Sequence, residues 1–189
     1  MTIFKLAGAV ALGFVVLGAP SASCEDRAPP EPEHYRSDDY RAPTPRTLRG
    51  ARVLTTAQAE ALWRAGTAAF VDVMPHVPRP VNLPAGTLWR ERLRHNIPGS
   101  IWLADTGYGA LAASTEDYFK AGLERITDGN SAKPLVIYCQ RDCWMSWNAA
   151  KRAVALGYTG VAWYPDGTDG WHEAGLALSE ATPAPRPSE

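Results

Sequence analysis

The chain has 189 residues, of which 46% are hydrophobic, and a formal charge of −1. That length suits one domain with a full core, and without a basic run there is no footprint for nucleic-acid phosphates. The histidines His34, His76, His95 and His172 are scattered, and no Cys–His cluster offers zinc a site.

Residues 1–23 read as an export signal. Lys5 is the positive n-region, Leu6 to Ala19 is an uncharged and mostly apolar stretch, and Ser21 and Ser23 stand at −3 and −1 before Cys24. The apolar stretch is too short for a comfortable membrane span, so the expected product is periplasmic with no membrane span. A lipid anchor on Cys24 is the alternative, although Ser21 stands where lipoprotein signals want a Leu-like residue. Residues 24–49 form a Pro-rich arm (Pro29, Pro30, Pro32, Pro43, Pro45) expected to lie extended over the domain.

A domain is expected over residues 50–180. Arg52-Val53-Leu54 is a short strand, and Thr55 or Thr56 caps a helix from Ala57 to about Ala65, with Ala61, Leu62 and Trp63 inward and Gly66 ending it. Ala69 to Val73 is a buried strand. Met74 to Arg94, with Pro75, Pro78, Pro80 and Pro84, is a long loop that cannot be sheet interior. His95 to Leu103 makes a tight turn into a third strand, and Ser114 or Thr115 caps a helix through Arg125. Pro134 to Tyr138 is an apolar, β-branched core strand. A turn from Cys139 to Trp147 follows, and then a helix from Asn148 to Leu156 that closes on Gly157. Gly160 to Tyr164 is the last expected strand, Asp166 to Gly170 a turn, Trp171 to Leu176 a short helix, and 181–189 a disordered tail. Alternating strands and helices predict an α/β domain, three layers deep, with a central mostly parallel sheet flanked by helices.

The turn Cys139-Gln140-Arg141-Asp142-Cys143-Trp144-Met145-Ser146-Trp147 carries the chemistry. Cys139 ends a strand at the edge where open α/β sheets place ligands, and turn amides ahead of a helix are expected to lower its pKa. Cys143 lies four residues on. In an oxidising compartment the two can pair. Gln140, Arg141, Asp142, Trp144, Met145 and Ser146 are the expected substrate-binding residues, with Arg141 available to an anionic donor and Asp142 placed to raise the thiol pKa values.

Four stretches in order resemble rhodanese-like domains: Phe70-Val71-Asp72-Val73; His95-Asn96-Ile97-Pro98-Gly99-Ser100-Ile101; the strand ending in Tyr138-Cys139; and Gly170-Trp171-His172-Glu173-Ala174-Gly175-Leu176. Within that superfamily the Cys-x-x-x-Cys-Trp turn is similar to that of exported CXXCW-motif proteins associated with PQQ-dependent alcohol catabolism, although three residues rather than two separate these cysteines. The resemblance implies a rhodanese-like fold and a role accessory to PQQ-dependent alcohol oxidation. Met74 stands where such domains often carry Arg after the Asp-Val of the first strand, so that ion pair is expected to be absent. Met145 stands where the phosphatases of this fold need Arg six positions after the Cys, which argues against phosphatase activity.

Three activities fit the turn. Sulfur transfer runs through a Cys139 persulfide fed by a small sulfur donor. Dithiol–disulfide redox uses Cys139 to attack and Cys143 to resolve, serving a periplasmic redox or dehydrogenase partner. A non-catalytic module would use Cys139, Cys143 and Met145 as soft donors for Cu(I), or stack its aromatics on a quinone.

Overall fold

The apolar run before the thiols sits at the centre of the sheet. In the computed structural model, which describes residues 28–186 apart from positions 78 and 91, Leu135–Tyr138 (β5) is buried along its whole length. The expected export signal of residues 1–23 and Cys24 lie outside the described residues. The other elements in chain order are β1 (Arg52–Val53), α1 (Thr56–Ala65), β2 (Ala69–Asp72), β3 (Arg94–Asn96), β4 (Ile101–Trp102), α2 (Ala113–Thr127), α3 (Trp144–Ala155), β6 (Val161–Tyr164), α4 (Gly167–Glu173) and β7 (Ser179–Ala181). Among the described residues β1-β6-β5-β2-β4 form a five-stranded sheet, parallel at every pairing. This is the expected α/β architecture.

Strand alternation sorts the core into two layers. Leu135, Ile137 and Cys139 point to one face with Val71, Val73, Val161 and Trp163, packed by Phe119 and Leu123 of α2 and by Trp147 and Ala150 of α3. Val136 and Tyr138 point to the other with Phe70, Ala162 and Tyr164, packed by Ala59 of α1 and Trp171 of α4. On α1 the inward residue is Ala59, with Leu62 and Trp63 partly buried, whereas Ala61 is exposed. Thr55 caps that helix through a reciprocal box with Gln58, and Gly66 closes it in the left-handed region at φ 62°.

Elsewhere the chain is more ordered than the sequence suggests. The helix after the thiols starts at Trp144, not Asn148. The Asp166–Gly170 stretch is the first turn of α4 rather than a free turn. A second sheet pairs β3 antiparallel with β7, and the described part of the expected tail is docked. The Ala184 amide donates to the Trp102 carbonyl (2.8 Å) and Tyr118 Oη to the Ala184 carbonyl (2.8 Å). Proline content predicts disorder there, but proline also suits an extended segment held along a surface by its carbonyls.

The arm crosses the N-terminal end of α3. Asn148 holds it from both sides: its Oδ1 accepts from the Arg36 amide (2.9 Å) and its Nδ2 donates to the Arg36 carbonyl (2.8 Å). The Trp144 amide donates to the Tyr40 carbonyl (3.0 Å), and Leu48 is buried in the core. No helix among the described residues is long and apolar enough to cross a membrane.

Candidate functional site

Cys139 follows β5 directly, and its side chain faces the α2/α3 layer, where it has no solvent exposure. Three donors hold its carbonyl: the Thr168 amide (3.1 Å), Thr168 Oγ1 (3.3 Å) and the Arg94 guanidinium (3.1 Å). The chain then makes a tight turn, with Asp142 in the left-handed region at φ 52°. An Asp tolerates that conformation better than most residues. The turn brings the chain back so that Cys143 becomes the N-cap residue of α3. The two sulfurs stand 2.7 Å apart with no disulfide bond between them. That separation lies between a disulfide bond of about 2.05 Å and an ordinary non-bonded contact.

The electrostatics invert the expected roles of the two thiols. Burial pushes the Cys139 pKa well up, and the neighbouring Cys143 and Asp72 add to the shift. Cys143 is lowered to about 7, first by its hydrogen bond with Cys139 and then, against the opposing effect of burial, by the backbone amides of Met145, Ser146 and Gln140. Cys143 makes no side-chain cap bond, and the Ser146 amide donates to its carbonyl (3.3 Å), but the unpaired N–H groups of the first helical turn lie close enough to favour a thiolate there. The turn amides do act on a thiolate, but on Cys143. The carboxylate that opposes ionisation of Cys139 is the buried Asp72, whereas Asp142 is exposed.

Two residues complete the surroundings. Met74 Sδ lies 3.4 Å from Cys139 Sγ. Asp72 Oδ1 accepts from the Met74 amide (2.8 Å), and Asp72 Oδ2 accepts from Arg94 Nε (2.8 Å) and its terminal nitrogen (2.7 Å). The ion pair expected to be lost with Met74 is therefore present, with its Arg supplied from β3, 22 positions along the chain. Burial still outweighs that pairing, and the Asp72 pKa rises to about 6.

The model of the rhodanese-like domain covers residues 55–174. The chain belongs to the rhodanese-like domain family. Among solved structures, a protein of unknown function from Rhodopseudomonas palustris, described as a possible tyrosine phosphatase, is 24% identical over 68% of this chain and 85% of its own, with a TM-score of 0.44. The polysulfide-sulfur transferase homodimer of Wolinella succinogenes is 18% identical over 68% of this chain and 78% of its own, with a TM-score of 0.42. The 3-mercaptopyruvate sulfotransferase of Escherichia coli is 16% identical over 64% of this chain, which spans only 42% of that one, with a TM-score of 0.36. A search of curated proteins finds no match.

Within this rhodanese-like domain the remaining turn residues serve mostly through their backbone. The Gln140, Met145 and Ser146 amides face Cys143. The Arg141 side chain is committed to α4: two bonds of 2.6 Å to Glu173, a third of 3.4 Å to Asp166, and its amide to Asp169 (3.1 Å). It braces the turn and is not free for an anionic donor. Trp144 packs edge-on to Trp147 at 5.5 Å, with the Arg36 guanidinium 5.4 Å from its ring centre, so it faces the arm. Ser146 Oγ donates to the Cys143 carbonyl (2.9 Å) and accepts from Trp163 Nε1 (3.0 Å). Beyond the Cys139 carbonyl an open cleft of about 950 Å³ is lined by Arg94, His95, Thr168, His172 and Glu173. His95 and His172 are both exposed there. Met74 and Arg94 escaped the sequence reading as site residues. Met74 was visible only as a departure from the family pattern, and Arg94 is brought in by a strand that the proline-rich loop concealed.

Proposed function

We propose that this rhodanese-like protein is a thiol–disulfide redox protein in which Cys143 attacks and Cys139 resolves. The observation that carries this is the 2.7 Å contact between the sulfurs, joined to the backbone amides that lower the Cys143 pKa. The Cys143 thiolate attacks a substrate disulfide and expels one thiolate, leaving a mixed disulfide. Cys139 gives up its proton to the second leaving group and attacks Cys143 Sγ. The substrate leaves as two reduced sulfurs, and the protein holds the Cys139–Cys143 disulfide. Run in reverse, the same exchange oxidises a partner dithiol. The sequence reading of residues 1–23 supports export to the periplasm, where such a pair would serve a redox or dehydrogenase partner; the resemblance to CXXCW-motif proteins points to PQQ-dependent alcohol oxidation.

Family membership and the amide-lined sulfur favour a second reading, sulfur transfer through a persulfide. Here Cys143 takes a sulfane sulfur from thiosulfate and releases sulfite. Cys139 attacks Cys143 Sγ and expels hydrosulfide, closing the same disulfide. Mass spectrometry separates the two. With glutathione disulfide, the wild type should lose two hydrogens reversibly, Cys139→Ser should trap a mixed disulfide on Cys143, and Cys143→Ser should do neither. With thiosulfate, exchange alone predicts no mass gain on Cys139→Ser, whereas transfer predicts a gain of one sulfur. Single variants that both oxidise as the wild type does would defeat either reading.

A further inference from the structure

Three sulfurs meet at the head of β5. Cys139 Sγ has Cys143 Sγ at 2.7 Å and Met74 Sδ at 3.4 Å. Met74 is fixed on both sides of its Cα, because its amide donates to Asp72 Oδ1 (2.8 Å) and its carbonyl accepts from Trp102 Nε1 (2.6 Å). The backbone that carries the thioether is thus held at two points beside Cys139.

We propose that the reduced protein binds one Cu(I) through Cys139 Sγ, Cys143 Sγ and Met74 Sδ. Thiolate and thioether are the soft donors that select this ion. Among the described residues no group of three or more His, Cys, Asp or Glu is placed to hold a metal, so the four-coordinate set that zinc demands is not met. The donor is Met74, whose thioether already lies 3.4 Å from Cys139 Sγ, rather than Met145. Binding releases the remaining thiol proton to solvent. Two thiolates and one Cu(I) leave a single negative charge, beside the Arg94 guanidinium that holds the Cys139 carbonyl at 3.1 Å. At metal–sulfur bonds of about 2.3 Å the thiolates must separate by roughly 1 Å, which binding would require of the Cys143 side chain. Met74 is partly exposed while both thiols are buried, so the ion arrives past the thioether.

The test is an anaerobic titration of the reduced full chain with Cu(I) held by a chromophoric bicinchoninate competitor, with copper X-ray absorption on the loaded protein. The expected result is one Cu(I) per chain with three sulfur neighbours, and none on the disulfide form. Met74→Leu should weaken binding by about tenfold or more and drop the count to two sulfurs. Cys139→Ser and Cys143→Ser should each lose the site. Equal affinity in wild type and Met74→Leu, two sulfurs in the wild type, or stoichiometric binding to either Ser variant would overturn the proposal. Because absorption spectroscopy on the wild type counts sulfurs directly, the outcome does not depend on how the variants fold. A protein that binds Cu(I) with three sulfurs yet fails to oxidise reversibly would leave this site standing and remove the exchange reading.

Discussion

Cys143 owes its lowered pKa first to Cys139 and only then to the helix amides. Cys139→Ala should therefore move the midpoint of Cys143 alkylation upward from about 7, because burial, which raises it, is then opposed by the backbone amides alone. A pH series of iodoacetamide rates on the two proteins measures this; an unchanged midpoint would assign the effect to the helix alone. Arg94 offers a second test. Removing it in Arg94→Leu strands Asp72 in the core, at a cost of about 3 kcal/mol near neutral pH. The Asp72 pKa, already about 6, then rises further above its unfolded value. A carboxyl raised in this way contributes stability below its unfolded pKa and loses it as pH climbs through the folded pKa. Urea melts should thus show the variant recovering part of its deficit as pH falls from about 7 to about 5, and a constant deficit would mean that Asp72 is not the group left stranded. At this scale the sequence made the thiols and their spacing legible. It did not reveal which thiol ionises, because that depends on where α3 begins, and two bulky tryptophans in a Cys-rich stretch read as turn, not helix.

At the scale of elements, the thiol turn is seated by the start of α4. Gly167 lies in the left-handed region at φ 51°, and a Cβ there would stand 2.6 Å from the Cys139 carbonyl oxygen. Gly167→Ala should cost about 1–3 kcal/mol from overpacking, displace the Thr168 bonds to that carbonyl, and slow disulfide closure. Stopped-flow oxidation beside a thermal melt would separate the two effects; normal stability with normal closure would show that the turn is held elsewhere. The parallel strands were readable because each is a short apolar run between breakers. The β3–β7 pair was not, since Arg94-His95-Asn96 and Ser179-Glu180-Ala181 carry no apolar alternation and are joined only through tertiary pairing.

On the scale of the whole molecule, the arm closes the site from the α3 side. A chain lacking residues 28–43 leaves the buried Asn148 amide without the Arg36 backbone, a loss of about 1–3 kcal/mol, and uncovers Trp144. Alkylation of Cys143 should then be several-fold faster than in the full chain, whereas equal rates would place the access route entirely on the Met74 side. The layout has one more consequence. Trp102 is bonded through its indole to the Met74 carbonyl, and Trp163 reaches the Cys143 carbonyl through Ser146. Two buried indoles are therefore tied, one directly and one through Ser146, to backbone carbonyls of the sulfur-bearing residues. Thiolates, disulfides and bound metals quench indole emission to different degrees. The protein thus carries its own optical readout, and its oxidation or loading can be followed in real time without a label.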